Sequence, residues 1–141
     1  MAEKIRPIAI GVVIHEDKLF VFEGYDHIKP ETFYRPLGGG IDFYEPGIEA
    51  VKREFQEELK AELKNLKYLS TLENIFIHNG ERQHEIVLIY KAEFADKSFY
   101  EDKEFTAYED DGSAMKCLWV QLKKFRSGEL ILYPDGLIAL L

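Results

Sequence analysis

Residues 35–59 read RPLGGGIDFYEPGIEAVKREFQEEL. Pro36 and the run Gly38-Gly39-Gly40 bar a helix from the first part of this stretch and mark it as a turn. The pattern changes after Pro46, whose missing N–H suits a first helical turn. Ile48, Val51, Phe55 and Leu59 recur at spacings of three and four, which predicts a helix over 46–60 with one buried face. The same helix carries Glu54, Glu57 and Glu58. At ~100° per residue these three carboxylates fall within about 100° of arc, at the edge of the buried seam.

Such a stripe has a cost. Like charges three and four residues apart destabilise an isolated helix by about 0.2–0.5 kcal/mol per pair. Arg53 on the flank offsets part of this, and a divalent cation would offset more. Mg²⁺ takes hard oxygen ligands, usually one or two carboxylates with water and substrate phosphate. The chain offers no comparable nitrogen or sulfur set. His15, His27, His78 and His84 are scattered, and Cys117 is the lone cysteine. A solvated acidic face would also read this way, because charged helix faces need no ligand. The glycine turn favours a site. Glycines let backbone approach a ligand closely, and a loop entering a helix N-terminus offers N–H groups to phosphate oxygens.

Outward from this stretch the chain reads as one mixed sheet flanked by helices. Ile8–Ile14, the turn HEDK and LFVFE predict an opening β-hairpin. Residues 24–32 read as irregular. Leu66–Ile77 and Ile86–Phe94 predict two strands joined at His78-Asn79-Gly80-Glu81, since Asn-Gly supplies the positive φ of a tight hairpin turn. IVLIY is almost continuously apolar and belongs near the sheet centre. Residues 97–111 are charge-rich and read as a surface loop, CLWVQ as the last strand, 122–126 as a short helix, and 135–140 as a C-terminal helix capped by Asp135.

The 141 residues suit a single domain spanning 1–141. A net charge of −8 disfavours nucleic-acid polymers as partners, though a small phosphorylated ligand remains compatible if a metal ion supplies positive charge. No run approaches the ~20 apolar residues of a membrane span. A lone cysteine without a disulfide partner and the lack of a signal-peptide pattern suggest a cytoplasmic setting. A homodimer is compatible with the sequence.

The two halves of the opening stretch together resemble the Nudix box: a glycine, five residues, a glutamate, seven residues, then Arg-Glu, an apolar residue, one more residue, and Glu-Glu. Gly39 opens it, Glu45 follows, then Arg53-Glu54, Phe55 and Glu57-Glu58. The resemblance implies a Nudix-like α/β/α sandwich with a mixed β-sheet between helices. It implies a Mg²⁺- or Mn²⁺-dependent hydrolase that cleaves the diphosphate of a nucleoside diphosphate linked to another moiety X. Glu54, Glu57, Glu58 and the Gly38 carbonyl would hold metal. Arg53 would orient the glutamates, with Glu45 and Gly39 bracing the box. A box glutamate or a later loop carboxylate would help deprotonate water. The alternative is a Nudix-fold module that senses a nucleotide without cutting it. The chain departs from the pattern at Lys60 and Ala61, where a glycine and an apolar residue are expected, at Tyr44, where glycine is frequent, and at Pro36-Leu37, inverted from Leu-Pro. Lys60 suggests a helix that runs on or ends differently.

Beyond the box, Glu104, Glu109, Asp110 and Asp111 are candidates for the loop carboxylate, and Glu85 could face the same cleft. Phe33, Tyr34, Phe43 and Tyr44 surround the glycine turn and could seal the core or stack on a base. Arg35 and Arg82 are candidate phosphate contacts. Arg35, Tyr34, Tyr44 and Glu85 form the expected substrate-binding set. Trp119, Cys117 and His84 read as structural.

Overall fold

A computed structural model describes residues 3–141. Its strands and helices are, in order, β1 (Ile5–Val12), β2 (Ile14–His15), β3 (Lys18–Asp26), β4 (Glu31–Arg35), β5 (Gly38–Gly40), α1 (Gly47–Leu59), β6 (Leu63–His78), β7 (Glu81–Phe94), β8 (Phe105–Tyr108), β9 (Ala114–Gln121) and α2 (Leu122–Arg126). The expected mixed sheet is present in the order β5-β1-β7-β6, with β1 parallel to β7 and the other pairs antiparallel. A second sheet, wholly antiparallel, orders β2-β3-β9-β8 with β4 also on β3.

Two cores explain why so many strands read as unbroken apolar runs. Along β1, Ile8, Ile10 and Val12 enter one core, while Ala9 and, just beyond the strand, Val13 enter the other. In β7, Val87 and Ile89 alternate in the same way with Tyr90, Ala92 and Phe94. Strands covered on both faces need apolar residues at every position. The first core holds Ala50, Val51, Phe55 and Leu59 of α1; the second holds Leu122 and Phe125 of α2 together with Leu132 and Leu137. The sheets therefore lie between helical layers. Helix α1 packs on β1 and β5 of one sheet and on β8 of the other. It packs tightly over Gly11, where a Cβ would come within 2.7 Å of the Phe55 ring. Burying a side chain such as Phe55 contributes about 1.5–3 kcal/mol.

Five elements differ from the sequence reading. Gly38-Gly39-Gly40, read as a turn, form the short strand β5 antiparallel to β1, because bare glycines let the backbone lie close over Ala9 and Glu54. The opening hairpin shrinks to β2 and the start of β3, turned by Glu16 and Asp17 at φ 50° and 62°. Strand β1 leaves it for the mixed sheet, because its two apolar faces are covered only between β5 and β7. Residues 24–32 are mostly strand: β3 runs to Asp26, β4 starts at Glu31, and β4 takes in the Phe33-Tyr34-Arg35 read as part of the glycine turn. The charge-rich segment 97–111 contains a 3₁₀ turn at Lys97–Tyr100 and strand β8, whose buried Ala107 the flanking charges conceal. The C-terminal helix is only a 3₁₀ turn at Ile138–Leu140.

Other expectations hold. Asn79 and Gly80 turn the β6–β7 hairpin at φ 50° and 81°. Interior strand β7 carries IVLIY. Cys117 is buried, and Trp119 packs in the first core with its indole N–H donating to the Phe99 carbonyl at 2.9 Å. Among the described residues no helix is long and apolar enough to cross a membrane.

Candidate active site

Arg53 is the hub of the site. Its Nε and Nη2 donate to the two carboxylate oxygens of Glu45 at 2.8 and 2.9 Å, and Nη2 also donates to the Gly40 carbonyl at 2.9 Å. Its Nη1 donates to Glu54 Oε1 at 2.8 Å and to Glu57 Oε2 at 3.4 Å. A planar fork with five donors suits this task; a lysine could not span it. Glu45 also accepts from the Asp42 amide at 3.0 Å. The Arg53 bonds foremost, then that amide, pull the Glu45 carboxyl down to about 2. The same partners hold the Arg53 guanidinium charged.

Glu54 lies buried beneath the glycine strand β5. A Cβ on Gly39 would sit 2.6 Å from the Glu54 carboxyl carbon and 2.8 Å from each of its oxygens. The glycine is therefore required by the glutamate that follows it by one helix length. Burial raises the proton affinity of Glu54, and Arg53 opposes that effect. Glu58 is pushed up to about 8, first by burial, then by the charge of Glu54 and the hydrogen bond they share, then by Glu109 and Asp110. Glu58 Oε1 is buried without a partner among the described residues. Glu57 is half exposed and leans toward Arg53. As placed, no three His, Cys, Asp or Glu side chains among the described residues converge as a ready-made metal site. The donor set nonetheless fits a hard cation: three carboxylates on one helix face, one oxygen of which is buried and unpartnered.

Helix α1 stops where a glycine would have stopped it. Lys60 takes φ 58°, its N–H donates to the Gln56 carbonyl at 3.1 Å, and the Ala61 N–H reaches the Phe55 carbonyl at 3.2 Å. The departure from the box is chemical only: the left-handed cap is kept with a lysine in it. Tyr44 does the same at the other irregular position, with φ 68°.

A separate cleft of about 960 Å³, lined by none of the Arg53 network, has Phe33, Phe76 and Tyr133 among its aromatic walls. At its charged floor, Glu85 is buried, accepting from Arg35 Nη2 and Asn74 Nδ2 at 3.2 Å each, with Arg6 Nη1 3.8 Å away. Arg35 and Glu85 thus line the cleft as an ion pair. Glu109 also borders the cleft. Of the remaining loop carboxylates, Glu104 pairs with Lys116, Asp111 closes a turn onto Ser113, and Asp110 is exposed.

Tyr34 is not in this cleft. Its ring packs 6.0 Å from Phe125 in the second core and its hydroxyl donates to Glu23 at 3.0 Å. Strand alternation decides this, since β4 turns Phe33 and Arg35 to the cleft and Tyr34 away from it. Tyr44 projects into solvent. Arg82 forks onto Glu3 at 2.9 and 2.7 Å. Sequence reasoning missed Arg6, Asn74 and Phe76, which lie far from the box in the chain and carry no motif.

A family profile for the NUDIX domain matches residues 5–136. The chain belongs to the NUDIX domain family. It is an enzyme of the pyrophosphate-hydrolase type found in that family. No curated protein matches it. Solved structures share its fold at low identity. A MutT NUDIX hydrolase from Burkholderia pseudomallei is 23% identical over 86% of both chains, with a TM-score of 0.63. A NUDIX hydrolase from Nitrosomonas europaea is 11% identical over 97% of this chain and 86% of its own, with a TM-score of 0.67. A mutator MutT protein from Bacillus halodurans is 17% identical over 95% of this chain and 78% of its own, with a TM-score of 0.61.

Proposed function

We propose that this Nudix enzyme is a cytoplasmic Mg²⁺- or Mn²⁺-dependent hydrolase of a nucleoside diphosphate linked to a further group. The observation that carries the reading is the Arg53 network, which gathers Glu45, Glu54, Glu57 and the Gly40 carbonyl around one guanidinium. An acidic face meant only for solvent has no need of a buried, shared and partly unpartnered carboxylate pair.

Glu54, Glu57 and Glu58, with the Gly38 carbonyl, would hold the ions. A bound divalent ion supplies positive charge to the diphosphate and acidity to water. Arg53 fixes the carboxylate rotamers, and Glu45 fixes Arg53. The aromatic cleft receives the nucleoside, while Arg35 and Arg6, held by Glu85, offer donors to it. Glu109 is the loop carboxylate best placed to accept a proton from the attacking water. It borders the cleft, and its charge is felt at Glu58.

The test is a screen of nucleoside diphosphate sugars, dinucleotides and nucleoside triphosphates with Mg²⁺ and Mn²⁺, following released phosphate compounds. Turnover should require the metal and vanish with chelator. Glu57→Gln and Glu58→Gln should each lower kcat by about a hundred-fold or more while circular dichroism stays native, in line with loss of charge stabilisation at a phosphoryl site. Near-normal turnover in either variant removes that residue from the mechanism. Tight binding without product points instead to a nucleotide sensor.

A further inference from the structure

Arg6, Lys29, Arg35 and Arg82 border the cleft. Three of them are closely paired. Arg82 forks onto Glu3, Arg35 donates to Glu85 at 3.2 Å, and Lys29 lies 3.4 Å from Glu31. Arg6 is different. Its ion pair among the described residues is loose, with Glu85 Oε2 standing 3.8 Å from Nη1, beyond hydrogen-bond reach. The Arg6 side chain is 47% exposed, against 14% for Arg35. A guanidinium carries five donors, so Arg6 has capacity to spare.

Its position joins the cleft to the Arg53 network. Ile8 pairs with Gly40 across β1 and β5, and Arg6 lies two residues earlier on β1. Arg6 Nη2 stands 3.9 Å from where a Cβ on Gly40 would lie. The Gly40 carbonyl accepts from Arg53 Nη2 at 2.9 Å, and Arg53 Nη1 reaches Glu54 and Glu57. Arg6 therefore borders both the cleft and the strand whose end Arg53 holds.

Glu85 does not depend on Arg6. Its Oε1 accepts from Arg35 Nη2 and from Asn74 Nδ2 at 3.2 Å each. A buried carboxylate that keeps one charged partner and a second donor is not stranded when a third partner leaves.

We propose that Arg6 is an anion-binding arm, resting beside Glu85 in the free protein and exchanging that carboxylate for a ligand phosphate where the cleft meets strand β5. This rests on the nucleoside reading of the cleft above, and it assigns the phosphate to Arg6 rather than to Arg35.

The experiment measures calorimetric Kd values for AMP and adenosine with chelator present, so that neither metal nor turnover enters. The two compounds differ only in the phosphate. The wild type should bind AMP more tightly than adenosine. Arg6→Gln should weaken AMP about ten-fold, as expected for one charged hydrogen bond, and leave adenosine within about two-fold. Arg6→Lys should recover part of the loss, since it keeps the charge without the fork. Glu85→Gln removes the resting partner. It should strengthen AMP about three-fold in the wild-type background and leave it unchanged beside Arg6→Gln. Where Glu85→Gln does not fold, Glu85→Asp takes its place with the same expectations, because it draws the carboxylate back from Arg6. Four results overturn the proposal: no binding of either compound, wild-type AMP affinity no greater than that for adenosine, equal losses of both compounds in Arg6→Gln, or a Glu85 effect of the same size in both backgrounds. Hydrolysis is read separately, in the metal-dependent screen, so either reading can fail alone.

Discussion

The carboxylate of Glu54 rests on the bare backbone of Gly39. A methyl group at that position would come within 2.6 Å of the carboxyl carbon, closer than any stable contact. The glycine strand β5 and the acidic helix are therefore one steric unit, and the pairing of Arg53 with Glu54 depends on it.

Gly39→Ala tests that relationship. The added methyl must push Glu54 aside, and with it the Arg53 and Glu58 bonds. Overpacking of this kind costs about 1–3 kcal/mol of stability. Turnover on whichever substrate the wild type accepts should fall by about a hundred-fold, a larger effect than the stability loss implies. Activity within about two-fold of the wild type would mean that Glu54 moves without consequence.

Lys60→Gly should stabilise the protein. Lys60 sits at φ 58° with its side chain in solvent, so glycine removes backbone strain without losing a contact. The gain should be about 0.5–1 kcal/mol, or a rise of about 3 °C in Tm, readable by thermal denaturation. A fall in Tm would show that the lysine makes an interaction worth more than the strain.

Asp26 should contribute to acid sensitivity. Its carboxylate accepts from the amides of Ile28 and Lys29 at 2.9 Å and from the amide of Asn79 at 3.2 Å, tying the β3–β4 turn to the β6–β7 turn. The Lys29 amide foremost, with those of Asn79 and Ile28 and the charge of His78, holds it below its ordinary 3.8 against the opposing effect of burial. A depressed carboxyl stabilises the fold above its unfolded pKa, and that contribution is lost as pH falls through the folded value. Between pH 5 and pH 2, Asp26→Asn should lose less Tm than the wild type, while starting lower at pH 7. Parallel curves would place the acid sensitivity elsewhere.

Cys117 should be inert in the folded protein. Burial, with the charge of Glu58, pushes its thiol up to about 12, so thiolate is scarce at any pH at which the protein would be handled. A thiol reagent at pH 8 should label it only through unfolding, and the rate should climb with urea in step with loss of circular dichroism. Prompt labelling in native buffer would reveal an opening of β9.

The acidic helix of the candidate site was legible in residues 35–59 because it is local. Glu57 and Glu58 follow Glu54 by three and four residues on one helix and so share its face by geometry, whereas Gly39 and Glu45 precede the helix and meet Glu54 and Arg53 only in the fold. The helix itself, the Asn79-Gly80 turn and the apolar strand β7 follow from the same short-range rules. Other features needed chain partners far apart. Whether β1 would pair with β3 or cross to β7 depends on which partners cover its second apolar face. Whether Tyr34 or Arg35 would meet the cleft depends on how β4 seats on β3. The cluster of Arg6, Arg35, Asn74 and Glu85 joins residues up to 79 positions apart. The sequence alone determined the acidic helix, since rigid local geometry sets it. Only tertiary structure decided the cleft, the paired sheets and which aromatic rings reach water, because burial belongs to the assembled fold and not to any one segment.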